Sequence, residues 1–156
     1  MNGNGEFYLA DAIAVIEEVL ASGGEFKLYP KGTSMLPLIV QGRDAVVLCR
    51  KTGKIPAKKH DVAFYRRKDG QFVLHRVMSV EKDGTYTMCG DNQFQLEKGI
   101  QPEQIIGVVR RIYRDGAEIG EKKLSYQLYV FFWSMRYVRR FCRGVQNKLR
   151  FKRKNI

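Results

Sequence analysis

Asp61-Val62-Ala63-Phe64-Tyr65-Arg66-Arg67-Lys68-Asp69-Gly70-Gln71-Phe72-Val73-Leu74-His75-Arg76-Val77-Met78-Ser79-Val80 reads as two strands joined at a hairpin tip. Its β-branched and aromatic residues suit a pleated, half-buried surface. Asp69-Gly70 is a dipeptide that tolerates the positive φ a tight reversal needs. The spacing predicts strands over residues 61–66 and 71–80, and this hairpin sets the class of the fold.

The pattern continues on both sides. Residues 26–29, 44–49, 85–89 and 105–113 carry further strand signals. Turn signals separate them at Gln41-Gly42-Arg43-Asp44, Lys82-Asp83-Gly84 and Arg114-Asp115-Gly116. Residues 6–21 instead place Leu9, Ala12, Ile13, Ile16, Val19 and Leu20 at helical spacing, and Ser22-Gly23-Gly24 ends the run. From about Ser125 the period is helical again, through Leu128, Phe131, Met135, Val138, Cys142, Val145 and Leu149. Arginines fall largely on the other side of that stretch, giving a basic amphipathic helix. The expectation is a mainly β, antiparallel domain. Its segments are an N-terminal helix over 1–24, a β domain over 25–120 and a basic helical tail over 121–156.

A chain of 156 residues is long enough for one domain with a proper core. Its 44% apolar and 12% aromatic content excludes a disordered protein. The net charge of +12 is unevenly placed: eleven Lys and Arg and no acidic residue lie from Lys122 onward. The body before them has 17 basic against 16 acidic residues, so it is nearly neutral. Cys49, Cys89 and Cys142 are odd in number and widely spaced, which fits neither a disulfide framework nor a zinc pattern. No metal or other cofactor is expected. The polar start of the chain and Asp11, Glu17 and Glu18 in the first helix do not read as a signal peptide. The longest apolar run, residues 128–133, is too short to span a bilayer.

Chemistry is concentrated in three short motifs. Gly32-Thr33-Ser34-Met35-Leu36-Pro37 sets a serine after a flexible turn. Leu74-His75-Arg76-Val77 supplies an imidazole, and Gly90-Asp91-Asn92 a carboxylate, with Glu97 soon after. A serine attacks only if a base removes its proton and backbone donors receive the developing oxyanion. His75 has the ordinary pKa for that work near neutrality. Either Asp91 or Glu97 could orient it and stabilise the imidazolium. His60, in a polar turn, is expected to be a solvated surface residue. Cys89 is expected to be a half-buried strand cysteine.

As an ordered set, these motifs over residues 28–112 resemble the signal peptidase I and LexA-like serine peptidases. The branch with His-Arg-Val in place of Lys-Arg-Val, the endoplasmic-reticulum and archaeal type, is the nearest. The resemblance implies the coiled antiparallel β domain of that family, Ser34 as nucleophile and His75 as base. It implies a carboxylate after Gly90-Asp91-Asn92 as the third member; that position falls on Glu97, where the family has Asp, with Asp91 as the other candidate. It also implies extended precursor or leader peptides as substrates, with small residues before the cut, added as a strand beside the site. The chain departs from the pattern in several places. Arg43 lengthens Gly42-Asp44, His60 replaces a glycine before Asp61, and Gly32 stands where some relatives carry a hydroxyl donor.

The tail admits contact with an anionic membrane surface through residues 125–156, placing Phe131, Phe132, Trp133 and Phe141 at the interface. Residues 124–135 are expected to pack on the body and 136–156 to meet lipid, so the protein is read as peripherally membrane-associated; a cytoplasmic location is the alternative. Nucleic-acid binding is the weakest reading, since no DNA-binding motif is present. The competing functions are a non-catalytic peptide-binding module on the same fold and an interaction protein acting through its basic tail.

Overall fold

A computed structural model describes residues 9–50, 56–119 and 124–134. The order is α1 (Leu9–Ala21), β1 (Glu25–Leu28), β2 (Asp44–Cys49), β3 (Val62–Arg66), β4 (Phe72–Val80), β5 (Tyr86–Cys89), β6 (Glu97–Ile100), β7 (Ile105–Arg114), β8 (Ala117–Ile119) and α2 (Leu124–Ser134). A single 3₁₀ turn, Pro102–Gln104, leads into β7. The eight strands form one sheet in the order β1-β2-β7-β3-β4-β5-β6, with β8 paired to β7 off that path. The pairings along this path are all antiparallel, so the domain is mainly β.

The opening hairpin forms as its sequence predicts. β3 and β4 pair in register, Ala63 opposite His75 and Tyr65 opposite Val73. Its tip is closed by Arg67 N–H on the Gln71 carbonyl (2.8 Å) and Gly70 N–H on that of Arg67 (3.0 Å). Gly70 has φ +86°, and the Asp69 carboxylate accepts the Gln71 N–H (3.0 Å). The β4–β5 tip repeats this device with Asp83, Gly84 and Thr85. In each case Asp supplies a local acceptor and Gly the left-handed residue.

β6 is a strand that the pattern does not predict. It pairs with β5, Met88 opposite Glu97 and Tyr86 opposite Ile100. A core of Ala63, Tyr65, Val77, Tyr86, Met88, Ile100, Ile105 and Val108, with Ala57, is buried on one side of the strands. The first helix buries Ile13, Ile16 and Leu20, one stripe at helical spacing, and lies against β1 and β7. Gly107 makes that approach possible: a Cβ there would stand 2.8 Å from Leu20 Cδ1.

The chain divides into two compact units between Glu118 and Ile119, with α1 in the same unit as the sheet. In the second unit α2 leaves Leu128, Phe131 and Phe132 exposed and buries Trp133. Trp133 is therefore not among the interfacial aromatics the sequence suggests. Phe141, Cys142 and the rest of the basic tail from residue 135 lie outside the described residues. No helix among the described residues is long and apolar enough to cross a membrane.

Candidate active site

Ser34 lies in the turn between β1 and β2, which is held by ties within it and by others from across the fold. Gly32, at φ +95°, donates its N–H to Gln41 Oε1 at 2.6 Å. Asp44, fully buried at the start of β2, accepts the Val40 N–H at 2.9 Å and is paired with Arg43 and Arg114. Burial works against the Asp44 anion, but these donors prevail and hold its pKa well below the usual carboxylate range. From across the fold, Asn92 N–H donates to the Ser34 carbonyl at 2.7 Å, and Asn92 Nδ2 to the Thr33 carbonyl at 3.1 Å. Gly90 allows this closeness, because a Cβ there would fall 2.7 Å from the Ser34 oxygen.

Asp91 serves the same anchor. It makes a bidentate pair with Arg76, Nε to Oδ1 at 2.9 Å and Nη2 to Oδ2 at 2.7 Å, with both side chains wholly buried. Arg76 also donates to the His60 carbonyl at 2.8 Å. The acid of Gly90-Asp91-Asn92 thus answers a buried guanidinium, and the turn it stabilises carries the residue that grips the serine loop.

Glu97, at the start of β6, is the carboxylate that meets the histidine. Its Oε1 lies 3.0 Å from His75 Nδ1. Tyr65 donates its hydroxyl to Glu97 Oε2 at 2.9 Å and stands 3.2 Å from the same Nδ1. Arg67 clamps the carboxylate through Nε (2.7 Å) and Nη2 (2.5 Å). Burial alone would raise the Glu97 pKa; the bonds from Arg67 and Tyr65 and the nearby His75 bring it below the ordinary value. Glu97 is therefore an anion near neutrality, able only to accept. The Tyr65 proton is spent on Glu97, so its oxygen offers Nδ1 a lone pair. Both neighbours require the proton on Nδ1, which leaves the lone pair on Nε2. Burial depresses the His75 pKa, Glu97 raises it and Arg67 lowers it again; the net direction is down. His75 is thus a neutral imidazole with its base nitrogen defined. Burial and Glu97 push the Tyr65 phenol far up, so it stays protonated.

No hydrogen bond joins Ser34 to His75, whose ring contacts are Tyr65 and Glu97. Among the described residues the Ser34 hydroxyl and N–H bond to no protein group. A cleft of about 590 Å³ opens beside the serine. Ser34, Gly32 and Lys31 line it with Ile13, Phe26 and Phe64 among others. Phe72 and Leu74, on the face of β4 opposite His75, and Val73 also line it, so the cleft borders the strand carrying the base while His75 is outside its lining.

His60 is not the solvated residue the turn suggests. It is half-buried, its Nδ1 is enclosed without a partner, and its backbone has φ +76°. That left-handed conformation is one glycine adopts most readily. Cys89 is fully enclosed at the end of β5, its thiol on the Gly90 and Gln93 carbonyls. Among the described residues no group of three or more His, Cys, Asp or Glu could hold a metal ion. Comparison with family models, curated proteins and solved structures finds no match for this chain.

Proposed function

We propose that this chain is a serine endopeptidase of the Ser-His type on a signal-peptidase-like fold. The observation that carries the reading is the ordered contact of Glu97 with His75 Nδ1, which leaves Nε2 as the base. In the reaction Ser34 Oγ attacks a peptide carbonyl while its proton passes to His75 Nε2. The imidazolium gives that proton to the leaving amine, and water then hydrolyses the acyl-enzyme by the same base. The uncommitted Ser34 N–H is one donor for the oxyanion, with the Thr33 hydroxyl within the same turn. Tyr65 and Arg67 are positioning residues acting through Glu97.

An extended peptide is the substrate that suits the cleft. The outer edge of β1 is unpaired among the described residues, so a peptide can add to it as a strand. The test compares wild type, Ser34→Ala and His75→Ala on secretory or leader-bearing precursors, with products read by mass spectrometry. Cleavage by wild type alone supports the proposal; equal cleavage by all three overturns it. Ser34-independent binding of peptide without product would favour a peptide-binding module instead.

The second unit supports peripheral attachment to an anionic membrane. Leu128, Phe131 and Phe132 are exposed, and the sequence from Lys122 is basic without an acidic residue. Co-sedimentation of the full chain with phosphatidylserine vesicles should weaken in Phe131→Ser/Phe132→Ser; unchanged binding would remove the aromatic contribution.

A further inference from the structure

Helix α1 packs on the sheet through Leu20, and its residues Ile16 and Ile13, one and two turns earlier, border a cleft. Leu20, one per cent exposed, sits on Gly107, where a Cβ would stand 2.8 Å from its Cδ1. Ile13 and Ile16 belong to the same apolar stripe, yet they line the cleft together with Phe26, Leu28, Phe64 and Phe72 of the strands. The helix is therefore a wall of that space, and the facing strands supply the opposite wall. The polar lining is gathered at the Lys31–Ser34 turn and Gln41; the rest is aliphatic and aromatic. At about 590 Å³ the space is of the size that holds ligands rather than of a packing defect.

We infer that the space beneath α1 is a selectivity pocket for a bulky aliphatic or aromatic side chain of an extended peptide bound beside Ser34. This rests on the peptidase reading for the position of the peptide, and it departs from the small residues that the family resemblance implies. The walls are apolar, so a methyl group would leave most of that surface in water, whereas Leu or Phe would cover it. Ser34 shares the lining, so a side chain in this pocket belongs to a residue close to the bond to be cut. The free edge of β1, whose Phe26 and Leu28 face the same space, gives the peptide backbone a partner.

The experiment separates binding from turnover. Full-length chain carrying Ser34→Ala is titrated with fluorescently labelled peptides of Ala and Ser in which one Leu or Phe is walked along the chain, and anisotropy is recorded. At one position Leu or Phe should bind at least about 10-fold more tightly than Ala, as a pocket sized for the larger group requires. Ile16→Phe projects its extra ring into the open cleft; it should abolish that preference while leaving the Ala peptide unaffected. Phe26→Ala, on the half-exposed edge strand, should reduce the preference by an independent route. Equal binding of Leu and Ala peptides at every position, or a preference that survives both substitutions, overturns the inference. Ser34-dependent cleavage confined to small residues would overturn it and leave the peptidase standing. A Leu preference abolished by Ile16→Phe in a protein that cuts nothing would uphold the pocket and sink the peptidase.

Discussion

Removing the Asp91 carboxylate is expected to be costly for a reason unrelated to proton transfer. Asp91 and Arg76 have 0% exposed side chains and are joined by two charge-assisted bonds of 2.9 and 2.7 Å. Asp91→Ala strands the guanidinium in a fully buried site, leaving the His60 carbonyl among its remaining partners. Breaking a buried pair from one side costs about 3–5 kcal/mol. For a chain of this length each kcal/mol moves the melting temperature by roughly 3 °C, so a fall of about 10–15 °C is expected. Thermal and urea unfolding of the full chain, followed by circular dichroism, measure it. The double variant Arg76→Met/Asp91→Leu removes both charges and should recover at least half of the loss, since apolar replacements of a buried pair are often neutral. A single-variant cost under about 1 kcal/mol, the scale of an exposed ion pair, would refute the argument. So would a double variant as unstable as the sum of the single ones.

Four other outcomes follow from the site. Glu97→Gln should slow labelling of Ser34 by a serine-directed phosphonate probe by about 10³–10⁴-fold, because the amide no longer enforces the Nδ1 proton; wild-type labelling would remove Glu97 from the mechanism. His75 acts as a base only when neutral and its pKa is lowered by burial, so the acid limb of kcat/KM should lie below the ordinary value of about 6.5; a limb above that value would contradict the electrostatics. The same depression makes the unfolded chain take up the proton first, so stability held above pH of about 6.5 should decline as pH falls below it, measured by chemical unfolding at stepped pH. Gly90→Ala, whose methyl would meet the Ser34 carbonyl at 2.7 Å, should cost about 1–3 kcal/mol and slow Ser34 labelling; a neutral change would mean the turn yields easily.

The strands that were legible from sequence have their own local cause. β2 matches its expected bounds, and β3, β4, β5 and β7 lie within a residue or so of theirs, because β-branched runs and Asp-Gly tips mark them. β6 is Glu-Lys-Gly-Ile, with Gly99 at φ +71°, and no propensity rule favours it. Its strand state comes from pairing with β5. The choice between Asp91 and Glu97 stayed open for the same reason: spacing could not say which acid reaches His75. One signal was available. Arg76 lies inside an apolar strand, and a buried guanidinium demands a counter-charge. That demand assigns Asp91 to Arg76 and leaves Glu97 for the histidine. Nothing local marks Tyr65 and Arg67, because they reach Glu97 across 32 and 30 residues of chain from a strand and the turn after it, whose pattern reads only as structure.

The margin of β1, unpaired among the described residues, also bears on self-association. A sheet edge that accepts a peptide can accept a sister molecule, the first step toward aggregation. Here the outward positions are Glu25 and Lys27, with Glu25 engaged by Arg110 and Arg111 and Lys27 lying over the Tyr29 and Tyr113 rings. Two such edges brought together would have to accommodate these already engaged charges at every second residue, whereas a neutral peptide brings none of its own. Under the peptidase proposal, the margin is therefore better suited to a short apolar guest than to a second copy of itself.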